Sequence, residues 1–264
     1  MKSFRVDLHV HTALSPCAEN EMTPPAVIEA ARNAGLAMIG VCDHNSAGNA
    51  WAFVEAARAR SSNDKAHPYG SHHKELVVLP GLEVTTAEEV HVLALFGDVD
   101  SAMRITNEIE ESLPAATGDY YQKFGDQVLL QADGKTIGKA RKMLACASRF
   151  SLSTIVKRIT NGGGIAVASH TNRPSFSVLS QLGRFPADVK FDAIELTAQR
   201  ADEKIMRLLV GTGFPMVASS DSHRLSDIGT SHTVVEMRDA TFDELRLALR
   251  SCDGRAIKER VFSK

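Results

Sequence analysis

Short apolar runs alternate with helical stretches along most of this chain, and this alternation restricts its fold more than any other feature. The apolar runs are too short to be helices, and the stretches between them carry helix-capping signals. Strands that alternate with helices are typical of a parallel sheet, and six or seven such units favour a closed barrel over an open sheet. We therefore predict a single α/β domain over residues 1–264, built as a β/α barrel.

Local signals place the individual elements of this barrel. Thr23 is a good N-cap, Pro24 suits a first helical turn, and Gly35 closes the same helix. The predicted strands are residues 4–8, 36–41, 76–79 with 81–84, 90–96, 165–168, 193–196, 216–218 and 233–237. The predicted helices are residues 24–34, 48–60, 101–112, 151–160, 201–210 and one that begins at the capping pair Thr241 and Glu244. The polar stretch 61–74 is predicted to be a surface loop.

The segment 113–150 interrupts the alternation and is predicted to be an insertion or a cap. It contains a piece with helical character that starts near Thr136. Residues 134–149 carry basic side chains without an acidic one: Lys135, Lys139, Arg141, Lys142 and Arg149. Such a run favours a solvated helix face, with a lid that recruits a polyanionic substrate as the alternative. Tyr120 and Tyr121 could stack a base of such a substrate or anchor the cap on the barrel.

The composition excludes several classes of protein. With 44% hydrophobic and 23% charged residues, the chain has the balance of a globular domain and not of a disordered one. Its net charge of −2 gives no general reason to bind nucleic acids or anionic membranes, so small or short substrates are favoured. Four scattered cysteines favour a reducing cytoplasm over a secreted disulfide scaffold. Without a signal peptide or a run of about 18 apolar residues, no membrane association is expected.

Polar residues occur in or at the ends of the predicted strands. His9 and His11 follow the first apolar run and share one face, because successive side chains of a strand alternate. An isolated His-x-His pair is a weak signal. However, the C-terminal ends of barrel strands meet at one mouth, where barrel enzymes build their sites. The residues expected to meet there are His9, His11, His44, Glu83, His91, His170, Asp221 and His223.

These eight residues have side chains that suit transition metals. Imidazole and carboxylate bind zinc, manganese or iron, whereas calcium and magnesium prefer oxygen ligands alone. Six histidines with two carboxylates are too many ligands for one ion, and a carboxylate such as Glu83 can bridge two ions. The sequence therefore predicts two or three divalent metal ions. The alternative is a set of hydrogen-bonded core histidines and solvated carboxylates, which would leave buried polar groups hard to satisfy.

The same residues lie in an ordered set of motifs. These are Asp7-Leu8-His9-Val10-His11-Thr12, Cys42-Asp43-His44-Asn45, Gly81-Leu82-Glu83-Val84, Ser169-His170 and Ser220-Asp221-Ser222-His223. In this order they resemble the successive motifs of the PHP family (polymerase and histidinol phosphatase), over residues 5 to about 240. The resemblance implies a distorted (β/α)7 barrel with a three-metal site at its mouth.

The resemblance also implies a set of ligands for each metal. The first metal would be held by His9, His11, Glu83 and Asp221. The second metal would be bridged by Glu83 and held also by His91 and His170. The third metal would be held by His44 and His223. Glu83 and Asp221 are thus the catalytic carboxylates that the resemblance implies for this chain.

One position departs from the family pattern. Family members usually place His or Asp five or six residues after the second histidine of the first motif, where this chain has Pro16 and Cys17. A thiolate binds zinc well, so Cys17 is a candidate substituted ligand, with a plain buried cysteine as the alternative. The choice between two and three metals depends on this position.

A phosphoester bond is the expected target of such a site. Two closely spaced cations can activate a water and stabilise the oxygens of a phosphoryl group. We therefore expect a metal-dependent phosphoesterase that hydrolyses a phosphomonoester metabolite or a nucleotide by a metal-activated hydroxide. Arg173 is the candidate for binding the phosphate, because its guanidinium fork matches phosphate geometry. An ordinary surface arginine is the alternative.

Three other functions are alternatives to this one. A nuclease or nucleotide phosphatase would act on short RNA, short DNA or nucleoside bisphosphates. An amidohydrolase would cleave C–N bonds, but its bridging ligand is typically a modified lysine, whereas this chain has Glu83 at the bridging position. A non-catalytic module would resemble the PHP domains attached to bacterial polymerases, but this chain keeps nearly every ligand.

Asp7 and Asp43 lie beside histidines of these motifs. A carboxylate in such a position can accept a ring N–H and so orient the imidazole. It can equally cap a loop by accepting hydrogen bonds from backbone amides. The sequence leaves both interpretations open.

Overall fold

The computed structural model describes residues 1–64, 75–198 and 203–262, with the backbone alone for residues 60–64. Its strands are β1 (Lys2–Val10), β2 (Met38–His44), β3 (Val77–Thr85), β4 (His91–Leu95), β5 (Val128–Leu130), β6 (Thr136–Lys139), β7 (Ile165–Ala168), β8 (Ala193–Leu196), β9 (Met216–Ala218), β10 (Ser231–Met237) and β11 (Ala256–Phe262). Its helices are α1 (Pro24–Asn33), α2 (Ala50–Asp64), α3 (Val99–Glu110), α4 (Gly118–Phe124), α5 (Leu152–Asn161), α6 (Val178–Leu182), α7 (Glu203–Gly211) and α8 (Phe242–Leu249). No helix within these residues has the length and apolar character needed to span a membrane.

Nine of the described strands form one sheet in the order β11-β10-β1-β2-β3-β4-β7-β8-β9. The two ends of this sheet approach each other. The amide of Ala218 in β9 donates to Oγ1 of Thr233 in β10, and that hydroxyl donates to the carbonyl oxygen of Ala218. The sheet is therefore a nearly closed barrel, which confirms the predicted fold class. Each predicted strand is present with small shifts at its ends, and β11 is an edge strand that the sequence analysis missed.

One strand departs from the predicted parallel pattern. β4 pairs antiparallel with both β3 and β7. Residues 86–90 alone join β3 to β4, and a parallel connection needs a crossover of about a dozen residues or more, so this short link forms a hairpin. His91, the first residue of β4, consequently pairs with Thr85, the last residue of β3. This reversal brings His91 to the same end of the barrel as Glu83.

The barrel interior is filled by apolar side chains from strands all around the sheet. These side chains are buried and form one cluster, which includes Val6, Met38, Leu79, Leu93, Ile165, Ala193, Val217 and Val235. Helices cover the outside of the sheet with their own apolar faces. Ile155 and Ile159 of α5 are fully buried there, as are Val27 and Ile28 of α1. Strands covered on both faces carry continuous apolar runs, which explains why the sequence showed them clearly.

Helix-end signals are confirmed in part, because Thr23 is the N-cap residue of α1 but its side chain makes no cap hydrogen bond. Gly35 has a φ of 69°, the left-handed conformation that glycine tolerates after a helix. Thr241 accepts a hydrogen bond from the amide of Glu244 at the start of α8. α2 continues to Asp64, so residues 61–64 of the predicted loop are helical. Residues 65–74 of that loop and residues 201–202 of a predicted helix lie outside the described residues.

The segment 113–150 contains α4 and the hairpin of β5 and β6. The helical piece predicted from Thr136 is wrong, because Thr136 begins β6. Gly134, with a φ of 87°, forms the turn, and the β-branched pair that follows favours a strand. The amide of Val128 in this hairpin donates to the carbonyl oxygen of Ala13 at 2.7 Å. The segment is therefore attached to the loop that follows β1.

The tyrosines and two of the lysines of the segment 113–150 make polar contacts within or beside the segment. Tyr120 is buried and donates its hydroxyl hydrogen to Gln127, and Tyr121 donates to a backbone carbonyl within the segment. Both hydroxyls thus hold the segment together internally, and neither of these hydrogen bonds joins the segment to the barrel. Lys135 and Lys139 form exposed ion pairs with aspartates outside the basic run. These two lysines therefore contribute less to binding a polyanion than the sequence alone suggests.

Gly40 in β2 lies where two strands approach closely. A Cβ atom at this position would lie 2.3 Å from the carbonyl oxygen of Leu8 and 2.8 Å from Cδ2 of Leu95. Because the nearest atom is backbone, it cannot turn away as a side chain can. We expect Gly40→Ala to lower the free energy of unfolding by about 3 kcal/mol, the upper part of the usual range for overpacking. Urea unfolding measures this loss.

Gly138→Ala is the matched control, because a Cβ atom at Gly138 in β6 meets no atom within 4 Å. The control should unfold at nearly the same urea concentration as the wild-type protein. Equal losses of stability in the two variants would contradict the close approach of β2 and β1 at Gly40.

Candidate metal centre

The eight residues predicted to meet at the barrel mouth do lie together, and we refer to them as the donor cluster. They come from the ends of β1, β2, β3 and β7, from the start of β4 and from the loop after β9. Three groups within the cluster each have donor atoms within 4.8 Å of one another: His11, His44 and His223; His9, His11 and Glu83; His44, Glu83 and His91. His170 and Asp221 join these groups through the contacts described next.

Glu83 lies at the centre of the donor cluster. Its Oε1 lies 2.9 Å from Nδ1 of His91 and 3.1 Å from Nε2 of His170. Its Oε2 lies 3.0 Å from Nδ1 of His44, a contact without hydrogen-bond geometry. Burial alone would raise the pKa of Glu83, but the charges of His91 and His9 hold this pKa well below its ordinary value. The two oxygens face different histidines, an arrangement that suits a ligand bridging two ions.

Asp221 contacts another part of the cluster. Its Oδ1 lies 3.1 Å from Nε2 of His11 and 3.4 Å from Nε2 of His9. Its Oδ2 lies 2.5 Å from Nη1 of Arg173, whose side chain is 34% exposed. Burial would raise the pKa of Asp221, but the charge of His9 and a hydrogen bond with His11 hold this pKa well below its ordinary value. The structure thus places Arg173 at the partly exposed rim of the cluster.

Hydrogen bonds on the outer side of His9 and His11 decide which ring nitrogens face the cluster. Nδ1 of His9 lies 3.0 Å from Oε2 of Glu195, and an ionised carboxylate can only accept a hydrogen bond. Nδ1 of His11 lies 2.8 Å from Oγ of Ser15, whose single hydroxyl hydrogen is donated to Asp43 at 2.7 Å. Both Nδ1 atoms must therefore donate, which leaves Nε2 of each ring directed at the cluster.

The donor set fits a divalent metal ion. The Nε2 atoms of the two rings lie 3.0 Å apart, and two lone pairs at this separation repel unless a positive charge is present. Burial opposes protonation of His9, but the charges of Asp221 and Glu195 help to raise its pKa well above its ordinary value. Nδ1 of His44 and Nδ1 of His170 are buried without hydrogen-bond partners in the described part of the chain. The cluster thus attracts cations, and its nitrogen and oxygen atoms suit zinc, manganese or iron.

Cys17 lies beside the group formed by His11, His44 and His223. Its Sγ lies 3.3 Å from Nε2 of His44, although the residue as a whole is exposed. Partial burial of the sulfur would raise the pKa of Cys17, but hydrogen bonds with His223 and His44 lower this pKa to about 6. Against the effect of burial, Cys17 and Glu83 in turn raise the pKa of His44 to about 10. This is not the environment of a plain buried cysteine.

Glu195 is a buried contact of the cluster that the sequence analysis missed. It lies in β8, contacts Nδ1 of His9, and accepts a hydrogen bond from the backbone amide of His170 at 2.9 Å. The signal was present in the sequence, because this carboxylate interrupts the apolar run Ala193-Ile194-Glu195-Leu196. A carboxylate in this position holds the orientation and the tautomer of the ring that it binds.

Replacing Glu195 with Gln keeps the size of the side chain but removes the negative charge that holds the Nδ1–H of His9. We expect the affinity for zinc or manganese to fall about 10- to 100-fold, the range typical for losing such a contact. Competition with a chelating dye measures this change. Glu110→Gln is the matched control, because Glu110 accepts a hydrogen bond from Ser46 away from the cluster. Unchanged metal affinity in Glu195→Gln would show that His9 does not depend on this carboxylate.

Asp7 and Asp43 bind loops and not imidazole rings. Asp7 accepts hydrogen bonds from the amide and the hydroxyl of Ser220, at 3.0 and 2.6 Å. Burial nevertheless raises the pKa of Asp7 to about 6. Asp43 accepts hydrogen bonds from the amide and the hydroxyl of Thr12, both at 2.7 Å, and from the hydroxyl of Ser15. Of the two interpretations that the sequence left open, loop capping is correct. Asp43 contacts the cluster only indirectly, because the Ser15 hydroxyl that it binds also accepts the Nδ1–H of His11.

Strained backbone conformations occur around the cluster. His170, Asp221 and Asn45 have φ angles of 29°, 52° and 54°, in the left-handed region that few residues other than glycine occupy. Such conformations persist where surrounding contacts hold them. The side-chain amide of Asn45, for example, donates to the carbonyl oxygen of Leu144 at 2.7 Å. This contact also ties the segment 113–150 to the loop beside His44.

Part of the chain matches a known protein family. Residues 199–252 match the family model described as PHP-associated. This stretch includes α7, β9 and α8, together with Asp221 and His223 of the donor cluster. A comparison with curated protein sequences found no match.

Solved structures share the fold over most of the chain. The lesion-specific endonuclease Q from Pyrococcus furiosus has a TM-score of 0.69 at 17% identity, and the match covers 98% of this chain and 58% of the endonuclease. A two-domain protein from Bacteroides vulgatus that contains a predicted PHP-like metal-dependent phosphoesterase has a TM-score of 0.55 at 13% identity, over 99% of this chain and 65% of that one. An amidohydrolase from Chromobacterium violaceum has a TM-score of 0.54 at 19% identity, over 85% and 89%. At these identities the likeness shows the fold alone.

The chain spans little more than half the length of the endonuclease. Its nearly closed barrel is the fold that the ordered motifs implied, and the segment matched by the family model carries the last of those motifs, Ser220-Asp221-Ser222-His223. In its motifs, its barrel and its PHP-associated segment, the chain is similar to the PHP family, which confirms the resemblance found in the sequence.

Proposed function

We propose that this protein is a metal-dependent phosphoesterase that hydrolyses a phosphomonoester metabolite or a nucleotide. The observation that carries the proposal is the approach of the Nε2 atoms of His9 and His11 beside the carboxylates of Glu83 and Asp221. Nitrogen lone pairs and two anionic groups that converge in a buried place form a site for divalent cations. The fold shared with a PHP-like phosphoesterase and with an endonuclease supports the same class of bond.

Two or three divalent ions of zinc, manganese or iron would be held by the donor cluster. The first ion would be held by His9, His11, Glu83 and Asp221. The second ion would be held by Glu83, His91 and His170. The third ion would be held by His44, His223 and Cys17. When bound, such ions supply positive charge that activates water and stabilises phosphoryl oxygens.

The protein's own side chains prepare this site for a substrate. Glu195 and Ser15 hold the Nδ1–H groups of two rings, so the opposite nitrogens stay directed at the cluster. Arg173 is anchored to Asp221 at the rim and presents a planar fork of donors, which we assign to the phosphate oxygens. His223, with 28% of its side chain exposed, marks the side from which a substrate would approach.

Cys17 is proposed as a ligand of the third ion. Loading the protein with Co²⁺ should then produce a sulfur-to-cobalt charge-transfer band in the near ultraviolet, because the thiolate would bind the ion directly. Cys17→Ser should abolish this band and weaken one bound ion, whereas Cys252→Ser should retain the band. Absorption spectra recorded during a Co²⁺ titration measure both effects. A wild-type protein that binds three Co²⁺ ions without this band would exclude Cys17 as a ligand.

A nuclease or nucleotide phosphatase is the second candidate function. Similarity to the fold of endonuclease Q favours it, since a structure of that enzyme holds a 27-mer duplex substrate with an abasic lesion at the active site. The net charge of −2 offers no general attraction for a long polyanion, so short RNA, short DNA or nucleoside bisphosphates are the alternative substrates. A C–N hydrolase is less well supported, because Glu83 occupies the place where such enzymes typically have a modified lysine.

Metal analysis of the purified protein followed by a panel of phosphoesters tests the proposal. We expect two or three divalent ions per chain and hydrolysis of at least one phosphomonoester, nucleoside bisphosphate or short RNA. On the best substrate, Arg173→Ala should lower kcat/KM by about 100-fold, a loss typical of a donor that binds developing charge. Arg207→Ala, which removes an exposed ion pair on α7, is the control. Metal-replete protein that cleaves amides or lactones but no phosphoester would overturn the proposal.

A further inference from the structure

Phe176 presents an aromatic ring beside the donor cluster. Its ring stacks on the imidazole of His91, with the ring centroids 4.7 Å apart and the planes at 22°. The residue is 41% exposed although His91 covers one face of its ring, which fits an accessible opposite face. Tyr120, which the sequence offered for stacking a base, is 5% exposed, and its hydroxyl is bonded to Gln127 inside the segment 113–150. An open aromatic face at the mouth is therefore supplied by Phe176.

The loop around Phe176 holds the ring in place. Phe176 has a φ of 55°, in the left-handed region that a bulky side chain rarely adopts. Its carbonyl oxygen accepts the amide of His91 at 2.9 Å. The hydroxyl of Ser177 donates to the carbonyl oxygen of Arg173 at 2.9 Å, and the amide of Arg173 donates to the carbonyl oxygen of His170 at 2.8 Å. The loop is tied to two members of the cluster, and strain held in this way is common where a protein contacts a ligand.

The same loop carries two different binding groups to the rim of the cluster. Arg173 pairs with Asp221 on one side, and Phe176 stacks on His91 on the other. A guanidinium binds phosphate oxygens, and an open aromatic face binds another flat ring. We propose that the substrate is a phosphoester that carries an aromatic ring, which stacks on the open face of Phe176 while Arg173 contacts the phosphate. This inference rests on the proposed phosphoesterase function and defines the substrate class of that site.

Two matched pairs of substrates test this inference. Adenosine 5′-monophosphate and ribose 5-phosphate differ by the base, whereas phenyl phosphate and methyl phosphate differ by a ring bonded directly to the ester oxygen. kcat/KM is measured for all four with metal-loaded protein, and the ratio within each pair is compared between wild type and Phe176→Ala, so that intrinsic reactivity cancels. We expect the ratio to fall about 10-fold in at least one pair, in line with the loss of one stacked base. The affected pair identifies the ring as a nucleobase or as a directly attached aryl group.

Two further variants separate stacking from a structural effect. Phe176→Tyr keeps the ring and should keep the ratio. Phe262→Ala removes a ring of similar exposure, 40%, from β11 and should leave the ratio unchanged. The metal content of each variant shows whether the site at His91 is intact. If Phe176→Ala changes kcat/KM by the same factor for both members of each pair, Phe176 acts only through His91 and the inference is wrong.

Failure of the proposed function gives a different result. In that case the wild-type protein hydrolyses neither these four phosphoesters nor the nucleoside bisphosphates and short RNA of the wider panel. Binding of adenosine 5′-monophosphate, followed by saturation-transfer NMR, then decides the inference about Phe176. Adenine signals that disappear in Phe176→Ala support stacking on this ring. Adenine signals that persist undiminished in the variant, or that are absent with the wild type, overturn it.

Discussion

Replacing Glu83 with Gln should remove most of the bound metal and lower kcat/KM for the best phosphoester by at least about a thousandfold, equivalent to about 4 kcal/mol of transition-state stabilisation. Glu83 places its two oxygens 2.9 to 3.1 Å from three histidines, so the loss of its charge affects both ions that it would bridge. The amide group of Gln would direct N–H donors at the cluster and repel a cation. Metal content and kcat/KM are measured on the same preparation.

Glu88→Gln is the matched control for this substitution, because Glu88 accepts the amide of Leu152 outside the cluster. The control should keep both its metal and its activity. Urea unfolding of the two variants separates loss of ions from loss of the fold, since Gln has nearly the size of Glu. Full metal content and full activity in Glu83→Gln would show that this carboxylate does not bridge two ions.

Removing the divalent ions with a chelator should lower the Tm by about 10 °C. A ligand that binds only the folded state stabilises it by about 4 kcal/mol at a concentration about 1,000-fold above its Kd, and each kcal/mol shifts the Tm of a domain of this size by about 2 to 4 °C. Without ions, the carboxylates of Glu83 and Asp221 lack a divalent counter-charge, and the charges of Asp221 and Glu195 help to raise the pKa of His9 well above its ordinary value. Differential scanning calorimetry with and without chelator measures the shift.

Adding metals back identifies the kind of ion that the cluster prefers. Zinc or manganese should restore the Tm with a saturating dose dependence, whereas calcium, which prefers oxygen ligands, should restore less of it. The chelator should change the Tm of Glu83→Gln by less than that of the wild type. An identical Tm of the wild-type protein with and without chelator would mean that the cluster does not bind metal in the folded state.

Prediction from the sequence failed for the secondary structure near Thr136 and for the direction of β4. The strands of the barrel were predictable because each is a continuous apolar run between helix signals, which is a local pattern. The antiparallel direction of β4 is a consequence of the short link before it. The alternation of strands and helices along the chain favoured a parallel strand instead. The sequence favours a helix near Thr136 because spaced basic residues resemble a solvated helix face, whereas the turn at Gly134 sets the pairing of β5 with β6.

By itself, the sequence determined which histidines and carboxylates form the donor cluster and that they lie at or near the ends of strands. Both follow from side-chain alternation and apolar runs, which extend over a few neighbouring residues. The tertiary structure alone decided which ring nitrogens of His9 and His11 face the cluster. Glu195 lies 186 residues from His9 along the chain, and the hydrogen bond between them forms only when β8 closes beside the barrel mouth. The sequence also could not predict the position of the Phe176 ring. Phe176 lies in the loop before α6, and its ring stacks on His91 at the start of β4.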